Sequence, residues 1–134
     1  VGNMSPEYAE NANMRDGVSF GPTLITNGEP AFYSGAGGGL NPRSAIGQRA
    51  DGAEILLCIE GRKTSSMGAS MADLIDIMLE YGAVNAYNLD GGMSSSMYLN
   101  GEEIVDNASI RSDRAIPTAW IVLPQKDAGT EGDS

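Results

Sequence analysis

The chain has 134 residues, of which 41% are apolar and 19% are charged, a balance typical of one globular domain. Eighteen acidic residues against eight basic ones give a net charge of −10, which argues against general binding to nucleic-acid phosphates. Histidine is absent, which excludes Ser-His-Asp and Cys-His catalysis and the HExxH zinc site. The sequence also has no run of about eighteen apolar residues, so no membrane-spanning segment is predicted.

The first third of the chain is predicted to hold one β-hairpin between irregular segments. Residues 1–20 have weak periodicity and are interpreted as an irregular or partly helical lead-in. In residues 21–33, GPTLITNGEPAFY, two short apolar runs flank Asn-Gly, which is the strongest local hairpin signal. The GAGGG stretch at 35–39 fits neither common phosphate-loop spacing. We interpret it as a loop that leads into a strand at 43–48, followed by a turn at 50–52.

The middle of the chain predicts a strand and then a helix. Residues 54–60, EILLCIE, form a continuous apolar run, which is typical of a strand covered on both faces. The lone Cys58 inside it is interpreted as an apolar filler rather than a nucleophile. Ser70 and Asp73 resemble a capping box that opens the helix, and Gly82 stands where a left-handed C-cap belongs. The apolar stripe of this helix consists of Met71, Leu74, Ile75, Met78 and Leu79.

The last third predicts strands that follow the helix. A strand at 83–89 leads directly to Asp90, and residues 96–105 form a second hairpin around Asn-Gly. A closing strand is predicted at 118–123. The acidic residues of 125–134 lack an apolar period, so this segment is predicted to be a disordered tail.

The strand, helix and strand of residues 54–90 predict a crossover unit. Two strands joined by one covering helix are usually parallel neighbours with a right-handed crossover. Glu60 and Asp90 would then leave the sheet at the same edge, together with Arg62, and ligands of open α/β sheets gather there. The predicted fold class is α/β (mixed α+β), with a mixed β-sheet, one β-α-β crossover unit and β-hairpins.

The turn after Asp90 has two interpretations. Gly91 and Gly92 allow a sharp bend that leaves backbone N–H groups uncovered for an anion or a sugar hydroxyl, with Ser94 and Ser95 beside them as neutral donors. Asp-Gly-Gly is also ordinary turn chemistry, so spacing alone leaves a plain polar loop open.

Several blocks of the sequence resemble one known family. Residues 88–101, NLDGGMSSSMYLNG, are similar to the Asn-Leu-Asp-Gly-Gly-Gly-Ser-Ser signature of the phosphodiester glycosidases. GPTLITNG, NPRSAIGQRADG, EILLCIEGR and SDRAIPTAWIVLP resemble further blocks of the family in the same order. The resemblance covers residues 21–124, which we therefore expect to be the later part of a phosphodiester glycosidase-like domain.

The sequence departs from the family pattern at three places. Met93 stands where the signature has a third glycine, and Glu60 replaces the usual Asp before Gly-Arg. An earlier family segment with an Asn-Gly-Gly-aromatic motif is absent from these residues. The expected partners therefore include a missing N-terminal segment of the same domain or a second copy of the chain.

The resemblance implies a hydrolase that cleaves a sugar-1-phosphodiester, such as an N-acetylglucosamine-1-phosphodiester, at the anomeric carbon. A phosphomonoester leaves readily, so the reaction mainly needs a cationic clamp on the phosphate and a carboxylate facing the oxocarbenium-like carbon. Asp90 is the expected nucleophile or base, and Arg43 is the expected phosphate clamp. Glu60 is either the second carboxylate or a residue that orients Arg62.

Further residues are expected to bind the substrate. Arg62 would contact the phosphate, and Arg114 either binds substrate or is a buried partner of Asp90. The remaining candidates, by resemblance to the signature, are Asn88, Gly91, Gly92, Ser94 and Ser95.

No cofactor and no metal is expected, and the resemblance places the protein outside the cytoplasm, acting on glycan, envelope or exopolysaccharide material. Two rival functions remain open. One is a non-catalytic carbohydrate-binding module on the same fold. The other is a calcium-dependent structural module at residues 106–113, DNASIRSD, although this stretch lacks the glycine and terminal glutamate of an EF-hand loop.

Overall fold

A computed structural model describes residues 2, 4–33, 38–105 and 115–125. In these ranges, the elements in chain order are α1 (Pro6–Asn11), β1 (Thr23–Thr26), β2 (Glu29–Pro30), β3 (Arg43–Arg49), β4 (Glu54–Ile59), α2 (Met71–Glu80), β5 (Ala83–Asn88), a 3-10 turn (Gly92–Ser94), β6 (Met97–Leu99) and β7 (Glu102–Val105). The mixed α+β class is therefore confirmed. No helix in these ranges is long and apolar enough to cross a membrane.

The main sheet has five strands in the order β2-β1-β5-β3-β4, and every hydrogen-bonded pair in it is antiparallel. β4 and β5 both run antiparallel to β3, so they are parallel to each other and α2 connects them. The β-α-β crossover is thus present, but β4 and β5 are not neighbours as predicted. The physical reason is that β3 pairs with β4 through a tight turn and then occupies the position between the two crossover strands.

One face of the sheet packs against α2. The side chains that form this core are Leu24, Ile25, Ala45, Met71, Leu74, Ile75, Met78, Ala83 and Ala86. The helix approaches β3 closely at Gly47, which has no side chain. A Cβ at this position would lie only 2.9 Å from the Met78 sulfur. Four of the five predicted stripe residues are buried, whereas Leu79 is exposed.

The ends of α2 agree with the sequence prediction. The Ser70 hydroxyl accepts a hydrogen bond from the Asp73 N–H, and the Asp73 carboxylate accepts from the Ser70 N–H at 2.7 Å, which completes the capping box. At the other end, Gly82 has a φ of +83° and ends the helix in the left-handed conformation.

Both predicted hairpins are present. β1 and β2 are joined by Asn27-Gly28, and β6 and β7 by Asn100-Gly101. All four turn residues have positive φ, which is the conformation that a two-residue hairpin turn requires.

Two strand predictions need correction. β4 lies at an edge of the sheet, and only alternate side chains of it (Ile55, Leu57 and Ile59) pack against the core, while Leu56 is exposed. A continuous apolar run cannot distinguish this arrangement from a strand covered on both faces. Residues 118–123 form no strand, and Ile121, Val122 and Leu123 are exposed. Although the composition of this segment is typical of a strand, it pairs with no other strand within the described residues.

Candidate functional site

Three strand ends meet at one edge of the main sheet. β3 begins there with Arg43, which pairs with Ile59 at the end of β4, so Glu60 follows at this edge. β5 ends there as well, because Ala45 pairs with Asn88 and the Leu89 N–H donates to the Ser44 carbonyl at 2.9 Å. The predicted gathering of Glu60 and Asp90 at one edge is therefore observed, with Arg43 at the strand end between them.

Arg43 is a buried cation whose hydrogen-bond partners are neutral. Its side chain donates from Nε to the Ala69 carbonyl and from Nη2 to the Gly39 carbonyl, each at 2.9 Å. Only 9% of the residue is exposed, and this desolvation lowers the pKa of the guanidinium. A guanidinium has five N–H donors, so these two bonds use only part of its capacity. The ion pairs observed among the described residues involve Arg15, Arg49 and Lys63 rather than Arg43.

Three glycines, two in the loop between β4 and α2 and one in the turn after Asp90, bring these segments against the backbone that precedes β3. A Cβ on Gly61 would lie 2.6 Å from the Pro42 nitrogen, one on Gly68 would lie 2.4 Å from the Asn41 carbonyl carbon, and one on Gly91 would lie 2.8 Å from the Pro42 oxygen. Real Cβ atoms are not found at such distances, so each position requires glycine for close approach. The Asn41-Pro42 backbone is therefore the point on which the candidate site is assembled.

The turn after Asp90 is a 3-10 turn rather than an open loop. The Gly92 N–H donates to the Pro42 carbonyl at 2.8 Å, the Ser94 N–H to Gly91 and the Ser95 N–H to Gly92. The prediction of uncovered backbone donors is wrong for these three groups. They are occupied because Gly92, with a φ of +60°, folds the chain back onto β3.

Among the described residues, no hydrogen bond or ion pair joins Glu60 to Arg62, so the alternative in which Glu60 orients Arg62 is not observed. The Glu60 carboxylate lies 3.4 Å from the Lys63 Nζ, whereas the exposed Arg62 donates from Nη2 to the Asn41 Oδ1 at 3.1 Å. Arg62 Nη2 is also 3.6 Å from the position that a Cβ on Gly92 would take, so this guanidinium reaches the turn after Asp90. Glu60 is therefore paired with Lys63, and Arg62 is hydrogen-bonded to Asn41.

Asn88 and Ser95 are buried beneath the turn. Each is 2% exposed, and the Asn88 Nδ2 donates to the Gly21 carbonyl at 2.8 Å. Backbone bonds from Gly21 to Asn88 and from Asn88 to Pro22 complete this connection between β5 and the start of β1. The Asn88 Oδ1 and the Ser95 Oγ have no protein partner within the described residues. Neither side chain faces solvent, and contact of either one with the substrate stays a prediction.

The remaining predicted residues are placed as follows. Asp90 and Ser94 are half-buried at the edge of the sheet, and both take part in contacts with other groups. Met93 is exposed at the surface of the turn. Arg114, the 106–113 segment and the end of the predicted acidic tail lie outside the described residues. Cys58 is half-buried, and burial raises the pKa of its thiol, which is unfavourable for a nucleophile.

Four groups at this site were not expected from the sequence: Asn41, Gly61, Gly68 and the Ala69 carbonyl. The two glycines at the ends of the loop between β4 and α2 were a usable signal, because isolated glycines often mark close backbone approach. Asn41 before Pro42 had turn character and begins the NPRSAIGQRADG block, but no role was expected of it. The Ala69 carbonyl could not be identified from sequence, since any residue supplies a backbone oxygen.

A second polar region lies at the opposite end of the sheet. An open depression of about 430 Å³ is lined by Arg49, Ala50, Asp51, Glu80, Tyr81 and Gly82. Arg49 donates from Nη2 to Asp51 at 2.8 Å, and both side chains are about half exposed. This depression is remote from the predicted residues, since β3 runs from Arg43 at one end to Arg49 at the other.

Comparison with known proteins agrees with the resemblance in the sequence. Over 118 residues the chain is 35% identical to the SPbeta prophage-derived uncharacterized protein YomE of Bacillus subtilis, which covers 84% of this chain and 18% of that protein. It is 33% identical over 81 residues to the N-acetylglucosamine-1-phosphodiester alpha-N-acetylglucosaminidase of Bos taurus, which covers 60% of this chain and 14% of that enzyme. The chain thus spans less than a fifth of the length of either relative.

A similar solved structure comes from Burkholderia pseudomallei K96243. It is named as a candidate exported protein, is 37% identical and superimposes with a TM-score of 0.54 over 56% of this chain and 15% of that one. The family profile of the phosphodiester glycosidases matches residues 3–123. This match covers nearly the whole chain, and the chain therefore belongs to the phosphodiester glycosidase family.

Proposed function

We propose that the protein is a glycosidase that hydrolyses a sugar-1-phosphodiester at its anomeric carbon. Family membership and the similarity to the bovine enzyme support the reaction class. The site at the edge of the main sheet supports it independently, because it combines buried positive charge with carboxylates from two strand ends.

Arg43 carries this proposal. Within the described part of the chain, this guanidinium is removed from water and bonded to carbonyls without a counter-charge, so an anion that reaches its remaining donors would gain strong electrostatic stabilisation. The net charge of the chain is −10, and general attraction of anions is therefore not expected. A phosphodiester would be held by this one locally positive site, with Arg62 as its second, solvent-facing cation.

The two carboxylates are proposed to have different roles in the reaction. Asp90 is proposed as the nucleophile or base at the anomeric carbon, because it lies two residues after the end of β5, at the edge where Arg43 begins β3. Glu60 is proposed as the second carboxylate, and it forms an ion pair with Lys63. In the overall step the bond from the anomeric carbon to the phosphate oxygen breaks and a water oxygen bonds to that carbon. The products are the free sugar and a phosphomonoester, and the proton that water loses is taken up by a carboxylate or by the leaving phosphate.

The substrate is proposed to be glycan, envelope or exopolysaccharide material outside the cytoplasm. The exported neighbour from Burkholderia supports this location. Gly91, Gly92 and Ser94 are proposed to contact the sugar or the phosphate through their exposed surfaces, since they lie next to Asp90 in the turn that Arg62 reaches.

The test is turnover of UDP-N-acetylglucosamine or a simple N-acetylglucosamine-1-phosphodiester by the wild type and by Asp90→Asn. We expect the substitution to reduce kcat by about 100-fold or more, because it removes the charge that faces the reacting carbon while keeping the shape of the side chain. Asp51→Asn at the opposite end of the sheet is the matched control and should retain wild-type turnover.

Two outcomes would contradict the proposal. Equal activity of Asp90→Asn and wild type would remove Asp90 from the catalytic role. Binding of the sugar phosphate by both proteins without turnover by either would favour the non-catalytic carbohydrate-binding module.

A further inference from the structure

We propose that Asn41 is a positioning residue that holds the Arg62 guanidinium over the Gly92 turn and so completes a two-arginine anion site with Arg43. This inference rests on the proposed function, because it concerns the same substrate phosphate. Asn41 is not among the site residues expected from the sequence, although it begins the NPRSAIGQRADG block.

Asn41 is fixed in place by several contacts. Its backbone N–H donates to the Ala69 carbonyl at 3.2 Å, and its carbonyl accepts from the Ala69 N–H at 2.9 Å. Its side-chain Nδ2 donates to the Gly38 carbonyl at 2.9 Å, and Gly68 packs directly against its backbone. The Oδ1 atom of this side chain is therefore a rigid acceptor.

Arg62 depends on that acceptor. Its side chain is exposed, and a long exposed side chain has about 2 kcal/mol of rotamer entropy that opposes any single orientation. The bond from Arg62 Nη2 to the Asn41 Oδ1, at 3.1 Å, selects one orientation, in which the same nitrogen lies 3.6 Å from the Cβ position of Gly92. Arg62 also has a left-handed φ of +58°, a conformation that a non-glycine residue adopts at a free-energy cost.

The same short segment holds both arginines. Arg43 Nε donates to the same Ala69 carbonyl that accepts from the Asn41 N–H. Arg43 Nη2 donates to the Gly39 carbonyl, next to the Gly38 carbonyl that accepts from the Asn41 side chain. The two guanidinium groups are thereby given a common support, which is what convergent binding of one phosphate requires.

The chemistry of the amide matters for this role. An aspartate at position 41 would accept the same bond from Arg62, but it would also form an ion pair and compensate the charge of the guanidinium. The neutral amide orients Arg62 without compensating its charge, so that charge remains available to the phosphate. Asn41→Asp is therefore a nearly isosteric change that keeps the acceptor for Arg62 and adds a charge, while it also removes the Nδ2 donor to the Gly38 carbonyl; Asn41→Ala removes both groups without adding a charge.

The first experiment is a double-mutant cycle on the affinity for N-acetylglucosamine-1-phosphate, measured by calorimetry. In the wild-type background, we expect Asn41→Asp to weaken binding about tenfold and Asn41→Ala about fivefold, in line with one charge interaction and one hydrogen bond. In the Arg62→Gln background, Asn41→Ala should change the affinity by less than about twofold, because the group that Asn41 positions is gone. Asn41→Asp should keep only the part of its loss that comes from repulsion between the new carboxylate and the phosphate. Equal losses for Asn41→Ala in both backgrounds would overturn the proposal, since they would show a general structural effect.

A second experiment does not depend on the substrate. Arg62 side-chain order is measured by 15N NMR of its Nε–H group in the wild type and in Asn41→Ala, with Arg49 as the internal reference. We expect the Arg62 signal to lose order in the variant while the Arg49 signal is unchanged. Unchanged Arg62 order would overturn the positioning role. Loss of Arg62 order in a protein that shows no affinity for the sugar phosphate would contradict the proposed function and leave the positioning role supported.

Discussion

The two ends of β3 each present an arginine near carboxylates, yet they differ in how the arginine is compensated. At one end Arg43 is buried and donates to two neutral carbonyls. At the other end Arg49 is about half exposed and forms an ion pair with Asp51. A surface ion pair of that kind contributes little stability, and the charge of its arginine is already compensated by the aspartate.

The comparison shows that residue composition does not identify the site. Arg49, Asp51 and Glu80 line an open depression and contain the same chemical groups as the candidate site. What distinguishes the Arg43 end is a desolvated cation that has no counter-charge among the described residues, together with two loops packed onto the Asn41-Pro42 backbone. The Arg43 end therefore holds a buried charge, whereas Arg49 lies on an ordinary solvated surface.

The largest expected effect concerns the packing at the two ends. Gly68→Ala and Gly52→Ala both place a Cβ on a residue with positive φ, but the Gly68 Cβ would lie 2.4 Å from the Asn41 backbone and the Gly52 Cβ meets nothing within 4 Å. Both variants should lose about 1–2 kcal/mol from the left-handed conformation. Gly68→Ala should lose about 1–3 kcal/mol more, because loops must separate to admit the methyl group.

Chemical denaturation of the two variants checks this difference. Because their conformational penalties are similar, the gap between their free energies of unfolding reports the close packing at the Arg43 end. Equal destabilisation would mean that the loops there are free to move apart and that the two ends of the sheet are alike in rigidity.

A smaller effect is expected at the start of α2, which lies next to the Ala69 carbonyl that accepts from Arg43. Ser70→Ala removes the capping hydroxyl and should lower the free energy of unfolding by about 1 kcal/mol at neutral pH. The pKa of Asp73 is lowered from 3.8, chiefly by the hydrogen bond from the Ser70 backbone N–H and then by the Ser70 hydroxyl.

This lowered pKa gives the capping interaction a defined pH dependence. A carboxyl group whose pKa is lower in the folded state stabilises the protein above its unfolded pKa, and this stability is lost as the pH falls through the folded value. The wild type should therefore lose more stability than Ser70→Ala when the pH is lowered below about 4, which thermal unfolding at several pH values would measure. Parallel pH profiles would contradict a role for the hydroxyl in holding the Asp73 charge.

The sequence predicted the elements better than their arrangement. The α2 caps and the two Asn-Gly hairpins follow from local chemistry, and all were confirmed. The insertion of β3 between β4 and β5 could not be predicted, because it depends on long-range pairing that no local pattern encodes. The predicted convergence at the sheet edge nevertheless holds, since β4 and β5 remain parallel when another strand separates them.

Within the candidate site, the charged side chains were predictable and their partners were not. Arg43, Glu60 and Asp90 stand out by residue type and by the family blocks. Their environment depends on backbone groups such as the Ala69 carbonyl and on close approach at Gly68. The turn after Asp90 shows the same limit, because glycine permits both an open loop and the observed fold back onto Pro42.

The most direct test compares the two arginines by calorimetric binding of N-acetylglucosamine-1-phosphate to wild type, Arg43→Gln and Arg49→Gln, with folding of each variant checked by circular dichroism. We expect Arg43→Gln to weaken binding by about 10- to 100-fold, corresponding to loss of charge-assisted hydrogen bonds to the phosphate. Arg49→Gln should bind within about twofold of wild type, because its charge is already paired and remote. Equal affinity of Arg43→Gln and wild type, in a folded protein, would contradict the assignment of the phosphate site to the Arg43 end of the sheet.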